Sequence, residues 1–167
     1  MLSIQIASFE QLHFVRDLAK TIWPKTFADI LTPDQITFMM NWMYALETLE
    51  KQHQEGQIFL LVFEDDKHIG FAAYETNIKN SGKTKIHKLY IDQQVQGKGV
   101  GRMVIEFIEN AARQNKQTHL TLNVNRFNQK AIDFYFRVGF VEAYREVIDI
   151  GNGFVMDDVV MEKEVGK

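Results

Sequence analysis

Three glycines at alternate positions, Gly97, Gly99 and Gly101, constrain this chain more than any other feature. They lie directly between a run that reads as a strand, Thr84 to Ile91, and an amphipathic run with Val100, Val104, Phe107, Ile108, Ala111 and Ala112 on one helical face. A strand that turns through glycines into a helix leaves the first amides of that helix without intrahelical partners. Those N–H groups and the helix dipole favour an anion, and Lys98 and Arg102 add positive charge where a pyrophosphate would lie. A plain glycine-rich turn flanked by solvated basic residues is the competing reading. Two common phosphate loops are excluded. The dinucleotide pattern G-x-G-x-x-G fails because Arg102 stands at its third glycine, and no acidic residue closes the next strand, which ends Asn123-Val124-Asn125. The triphosphate loop G-x-x-x-x-G-K-[ST] fails because Gly101 is followed by Arg102 and Met103. The remaining pattern is Gln-x-x-Gly-x-Gly, here Gln96-Gly97-Lys98-Gly99-Val100-Gly101.

The flanking sequence supplies the rest of an α/β arrangement. Leu2 to Ala7 alternates like a half-buried strand, and Ser8 with Gln11 has capping-box spacing ahead of Leu12, Val15, Leu18, Ala19 and Ile22, a helix expected to end at Pro24. Thr32 reads as an N-cap with Pro33 at the first helical position and Gln35 closing the box, and Ile36, Met39, Met40 and Met43 share a face. A third helix is expected from Ala45 to Gln54, stopped by Gly56. Gln57–Glu64 and His68–Glu75 form a hairpin about Asp65-Asp66, and Asn77–Gly82 is a polar loop before Thr84–Ile91. His119–Val124 is a strand, Asn128–Val138 a helix ended by Gly139, and Val141–Ile150 with Phe154–Glu164 a hairpin around Gly151-Asn152-Gly153. The order implies a mixed sheet with helices on both faces, in one domain spanning residues 1–167.

Composition narrows the function. There is no cysteine, which excludes disulfides, thiolate metal sites and cysteine nucleophiles. The five histidines, His13, His53, His68, His87 and His119, fall in separate elements without ligand spacing, so no metal is expected. A net charge of −3 argues against sequence-independent nucleic-acid binding. With no apolar run near the ~20 residues that span a bilayer, the reading is a cytoplasmic protein without membrane attachment, a homodimer being left open.

Two segments together carry a resemblance. Leu89-Tyr90-Ile91, followed by the Gln96–Gly101 loop, resembles the acyl-CoA motif of the Gcn5-related N-acetyltransferase (GNAT) family. Asn128-Gln129-Lys130-Ala131-Ile132-Asp133-Phe134-Tyr135 through Gly139-Phe140 resembles the family's N-x-x-A-x-x-F-Y … G-F segment in residue types and spacing. The resemblance implies an α/β fold with a central mixed, mostly antiparallel sheet flanked by helices. It implies an enzyme that transfers an acetyl group from acetyl-CoA to a primary amine on a small molecule or peptide, by direct attack on the thioester. A non-catalytic CoA-binding sensor on the same fold is the alternative.

The resemblance also assigns roles. The cofactor's phosphates would be bound by Gln96, Gly97, Lys98, Gly99, Val100, Gly101 and Arg102, and its pantetheine arm would pair like an extra strand with the backbone of Leu89, Tyr90 and Ile91. Asn128 and Lys130 would add contacts, and Tyr135 would serve as general acid for the departing thiol. Many relatives carry a glutamate on the strand before the glycine loop, but Lys85 to Ile91 contains no carboxylate, leaving His87, or Glu75 acting through a water, as candidate bases. Gln93 stands where the family often has proline. Trp23, Phe27, Trp42 and Tyr44 are expected to line the amine pocket.

Overall fold

The structure, a computed structural model, describes residues 1–166. Among these, seven strands and five α-helices follow the order expected from the sequence: β1 Leu2–Ile6, α1 Leu12–Phe27, α2 Pro33–Met43, α3 Leu46–Gln54, β2 Ile58–Glu64, β3 Lys67–Glu75, β4 Lys83–Ile91, α4 Val100–Gln114, β5 His119–Asn125, α5 Gln129–Arg137, β6 Val141–Gly151 and β7 Phe154–Glu164. The strands form one sheet in the order β1-β2-β3-β4-β5-β7-β6, flanked by the helices. Pairing is antiparallel at β1–β2, β2–β3, β5–β7 and β6–β7, and parallel at β4–β5. The parallel pair follows from the connection, because only a crossover the length of α4 brings two successive strands side by side in the same direction.

Internal contacts fall into two units: Met1–Glu75 with Lys88–Ile105, and Thr76–His87 with the chain from Glu106 onward. In the first, Phe59–Val62 and Ile69–Tyr74 are buried without interruption, so β2 and β3 are covered on both faces. This is why their sequences read as continuous apolar runs rather than alternating ones. Leu12, Val15, Ala19, Ile22, Trp23 and Phe27 supply the buried stripe of α1, which packs on β3, α2 and α3.

The helix does not end at Pro24 as expected; it continues one turn to Phe27. Proline forfeits a single intrahelical bond, to the carbonyl of exposed Lys20, and burial of Trp23 and Phe27 on the same turn outweighs that loss. Thr26 Oγ1 donates to the Ile22 carbonyl at 3.0 Å within this turn. The Ser8–Gln11 capping box forms, with Ser8 N–H donating to Gln11 Oε1 at 2.9 Å, but it caps a 3-10 turn, Phe9–Gln11, that precedes α1.

In the second unit, the β4–β5 ladder joins Lys83–Ile86 to His119–Leu122. β5 is then sandwiched by its antiparallel ladder to β7, from His119↔Glu164 to Asn125↔Asp158. Asn77 organises the loop before β4: its Oδ1 accepts from Gly82 N at 3.0 Å, and its N–H donates to Gln117 Oε1 at 2.6 Å. Among the described residues, no helix is long and apolar enough to cross a membrane.

The cap of α2 gives a test of the local reading. Thr32 Oγ1 accepts from Gln35 N at 3.2 Å, with Pro33 behind it. Thr32→Ala removes that acceptor and is expected to lower unfolding stability by about 1 kcal/mol, read from urea denaturation. Unchanged stability would mean that water replaces the cap at no cost.

Candidate active site

The end of β4 and the glycine loop belong to the first unit. Asp92 closes β4 with two bonds: its N–H donates to the bulged Ile69 carbonyl at 2.8 Å, and its Oδ1 accepts from Gln94 N at 3.0 Å, capping a 3-10 turn over Gln93–Val95. Gln96 then folds back, donating from Nε2 to the Ile91 carbonyl at 3.2 Å. Gly97 and Gly99 take left-handed φ values of +89° and +77°, which a side chain would strain, although nothing lies within 4 Å of where a Cβ would stand. Glycine here serves conformation and leaves open space beside an exposed backbone. Met103 N bonds to the Gly99 carbonyl at 3.1 Å, the first rung of α4, so the amides of Val100, Gly101 and Arg102 precede the helical ladder. Buried Val100 anchors this turn. Lys98 reaches across to Glu64 at 3.3 Å, while Arg102 is exposed. The arrangement could hold a diphosphate: open space, amides ahead of the helical ladder, and two basic side chains, one of them paired with Glu64.

Behind β4 lies an aromatic cluster. The Tyr90 ring sits 5.7 Å from Phe71, 6.0 Å from Trp23 and 6.1 Å from Phe27, and Trp23 packs 5.7 Å from Tyr44. Three of the four residues expected around the amine are therefore brought together, but as buried packing. Trp42 is 48% exposed and outside the cluster. Burial pushes the Tyr44 hydroxyl well above the usual phenol range, and Tyr90 adds to it. The Trp23 indole N–H pulls weakly the other way, without a hydrogen bond of good geometry, and both polar atoms are buried without partners.

Lys88 was not anticipated. It is 4% exposed, its Nζ donates to Gln52 Oε1 at 2.8 Å, and it lies 5.4 Å from the Phe59 ring and 5.9 Å from Tyr44. Strand alternation held the signal, because Thr84, Ile86 and Lys88 share a face and the first two are buried. The aromatic faces and one amide oxygen compensate a desolvated ammonium.

The remaining candidates belong mostly to the second unit. Asn128 caps α5, with Oδ1 accepting from Ala131 N at 3.3 Å. Tyr135 is 8% exposed, its ring edge-on to Phe134 at 5.3 Å and Phe140 at 5.5 Å. Its carbonyl accepts from Phe140 N at 2.9 Å, a return made possible by left-handed Gly139. Lys130 is exposed. Of the base candidates, half-buried His87 lies in this unit, on the face of β4 opposite Ile86 and Lys88, whereas half-buried Glu75 closes β3 in the first unit.

This second unit also holds an unanticipated polar group. Asn123 Nδ2 donates to Glu146 Oε1 at 2.7 Å and to Asp158 Oδ2 at 3.1 Å. Asp158 is 3% exposed; burial raises its carboxyl above the ordinary 3.8, with Glu146 and Asp157 adding to the rise and Asn123 and Lys85 opposing it.

The acetyltransferase (GNAT) family model matches residues 12–140. The chain belongs to this family of acetyltransferases. The GNAT resemblance read from the two sequence segments is borne out, and so is the fold class. This acetyltransferase is 36% identical over 101 residues to the peptidyl-lysine N-acetyltransferase YjaB of Escherichia coli K12, a match spanning 60% of each chain. It is 26% identical over 162 residues to a spermidine N(1)-acetyltransferase of Thermoplasma acidophilum, covering 93% of this chain and 96% of that one. Its fold is similar to that of the PaiA N-acetyltransferase from Thermoplasma acidophilum crystallised with coenzyme A, with a TM-score of 0.80 and 24% identity over 98% of this chain and 99% of the other.

Asp158 makes a pH-dependent prediction. Because its folded pKa is raised, the folded state holds this proton more tightly than the unfolded chain; ionised Asp158 therefore costs stability above the folded pKa, and the cost vanishes as pH falls through it. Asp158→Asn keeps an acceptor for Asn123 and removes the charge. The variant is expected to melt at or above the wild-type temperature at pH 8, with the gap closing as pH falls into the titration range of the raised carboxyl. A variant several degrees less stable at pH 8 would show that the charge is required.

Proposed function

We propose that this acetyltransferase uses acetyl-CoA as donor and a primary amine as acceptor, and that its cofactor phosphates are held at the start of α4. The observation that carries this reading is the Gly97–Arg102 segment, with left-handed glycines, open space and amides preceding the first helical rung. Acetyl-CoA brings an already activated thioester, so the protein needs no nucleophile of its own. The amides of Gly97, Gly99, Val100 and Gly101 donate to phosphate oxygens, and Lys98 and Arg102 neutralise them. Gln96 contributes by bracing the loop on the Ile91 carbonyl. Backbone groups of Leu89, Tyr90 and Ile91 pair with the pantetheine amides, and an N–H there steadies negative charge on the acetyl oxygen. Asn128 and Lys130 add contacts from α5.

Two proton transfers remain. Tyr135 is the acid that meets the departing thiolate, and His87, or Glu75 through a water, takes the proton from the incoming ammonium. For the acceptor we favour a cationic alkyl amine such as a polyamine. The net charge of −3 suits such a partner, and the Thermoplasma relative similar over nearly its whole length is a spermidine acetyltransferase. A lysine side chain is the second reading, favoured by the similarity to YjaB. The work is assigned to the cytoplasm.

Acetyl-CoA is expected to raise the melting temperature and NADH to leave it unchanged, since only a ligand that binds the folded state shifts the transition. CoA release measured over spermidine, spermine and a lysine peptide then ranks the acceptors. Binding without release on any amine would favour a non-catalytic CoA sensor, and no shift with acetyl-CoA would overturn the site.

Tyr135→Phe keeps the ring against Phe134 and Phe140 and removes only the hydroxyl. A positioned proton donor is typically worth ~10²–10⁴-fold, and a thiolate is a tolerable leaving group, so kcat is expected to fall by about 10²-fold or less with the acetyl-CoA KM nearly constant. Wild-type kcat in this variant would remove Tyr135 from the chemistry.

A further inference from the structure

Gly70 lies on β3 beside a β-bulge. Val62 pairs with Gly70 and Phe63 with His68, so Ile69 is the extra residue on β3. Its carbonyl is the one that accepts from Asp92 N. A Cβ at position 70 would stand 2.7 Å from the Tyr90 carbonyl oxygen, 2.6 Å from Ile91 Cδ1 and 3.2 Å from Ile91 Cα. Unlike Gly97 and Gly99, Gly70 has no left-handed φ. Its glycine is demanded by a neighbour: the backbone of β4 lies where a methyl group would be. Ile91 Cδ1 can rotate away, but the Tyr90 carbonyl can move only with its peptide.

From that contact a bonded path leads to the loop. The Ile91 carbonyl holds Gln96 Nε2, and Asp92 both bonds to the bulge and caps the turn at Gln94. Bulge and glycine thus fix the depth at which Tyr90–Asp92 settles against β3, and through Gln96 they fix the start of the phosphate loop.

We propose that Gly70 is a positioning residue for acetyl-CoA: by lacking a side chain it sets where the Tyr90–Ile91 peptide stands, and so the placement of the backbone that meets the cofactor's pantetheine arm. The proposal rests on the reading of Leu89–Ile91 as cofactor-binding backbone. A methyl group at position 70 displaces this peptide by several tenths of an ångström, because the oxygen must retreat to ordinary contact distance.

The test compares Gly70→Ala, Ile91→Ala and the double variant. Two quantities are read: amide hydrogen exchange at Tyr90, Ile91 and Asp92 in the ligand-free protein, and steady-state constants for acetyl-CoA and the best amine. Gly70→Ala is expected to speed exchange at these amides about tenfold and raise the acetyl-CoA KM about tenfold, as overpacking against backbone does, with the amine KM unchanged. Removing the Ile91 side chain relieves one of the two closest contacts and leaves the carbonyl contact, so the double variant, measured against Ile91→Ala, is expected to keep both defects. It also serves if Gly70→Ala alone does not fold. Restoration of exchange and KM in the double variant would overturn the proposal by reducing the effect to side-chain crowding, as would a Gly70→Ala protein unchanged in both. Faster exchange with an unchanged acetyl-CoA KM would overturn it differently, locating the error in the cofactor reading of β4. Equal rises in both KM values would assign Gly70 to general stability and overturn it as well.

Discussion

β3 is buried on both faces, and a doubly buried strand has no water to satisfy its backbone. Every N–H and C=O on it must find a protein partner, and where the β2 ladder slips at the bulge, the Ile69 carbonyl finds Asp92. That bond carries the interior's demand for satisfied backbone out to the rim of β4. The glycine loop grows from the rim, so its placement follows from packing several residues away, and the loop glycines themselves touch nothing on their Cα side.

Each unit also carries charge into its interior, and the two cases differ in kind. Lys88 is compensated: an amide oxygen and two ring faces surround its ammonium, and its long stem adds apolar contact. Asp158 is undercompensated, because the single Asn123 amide group that bonds to it is shared with Glu146, whose charge opposes its ionisation. A desolvated carboxylate beside a second one makes stability depend on proton concentration.

Local signals were legible wherever backbone chemistry depends on neighbours in sequence. Thr32, Pro33 and Gln35 announced α2 because a cap is made within four residues. The end of α1 was misread at Pro24, since proline's local penalty is visible in sequence while the burial of Trp23 and Phe27 that overrides it is not. The aromatic residues assigned to an amine pocket show the same limit: their size and spacing are in the sequence, but whether a ring faces ligand or core depends on which strand lies behind it.

The sequence by itself determined the order of elements, the glycine loop with its free amides, and the family, because each depends on residue types at fixed short spacing. Tertiary structure alone decided that Lys88 is buried among rings, that Asp158 and Glu146 meet over Asn123, and that Gly70 is required by the Tyr90 carbonyl rather than by its own φ. Those facts depend on the distance between strands remote in sequence, which is set by packing and by the register of hydrogen-bonded ladders. No spacing along a single chain encodes that distance.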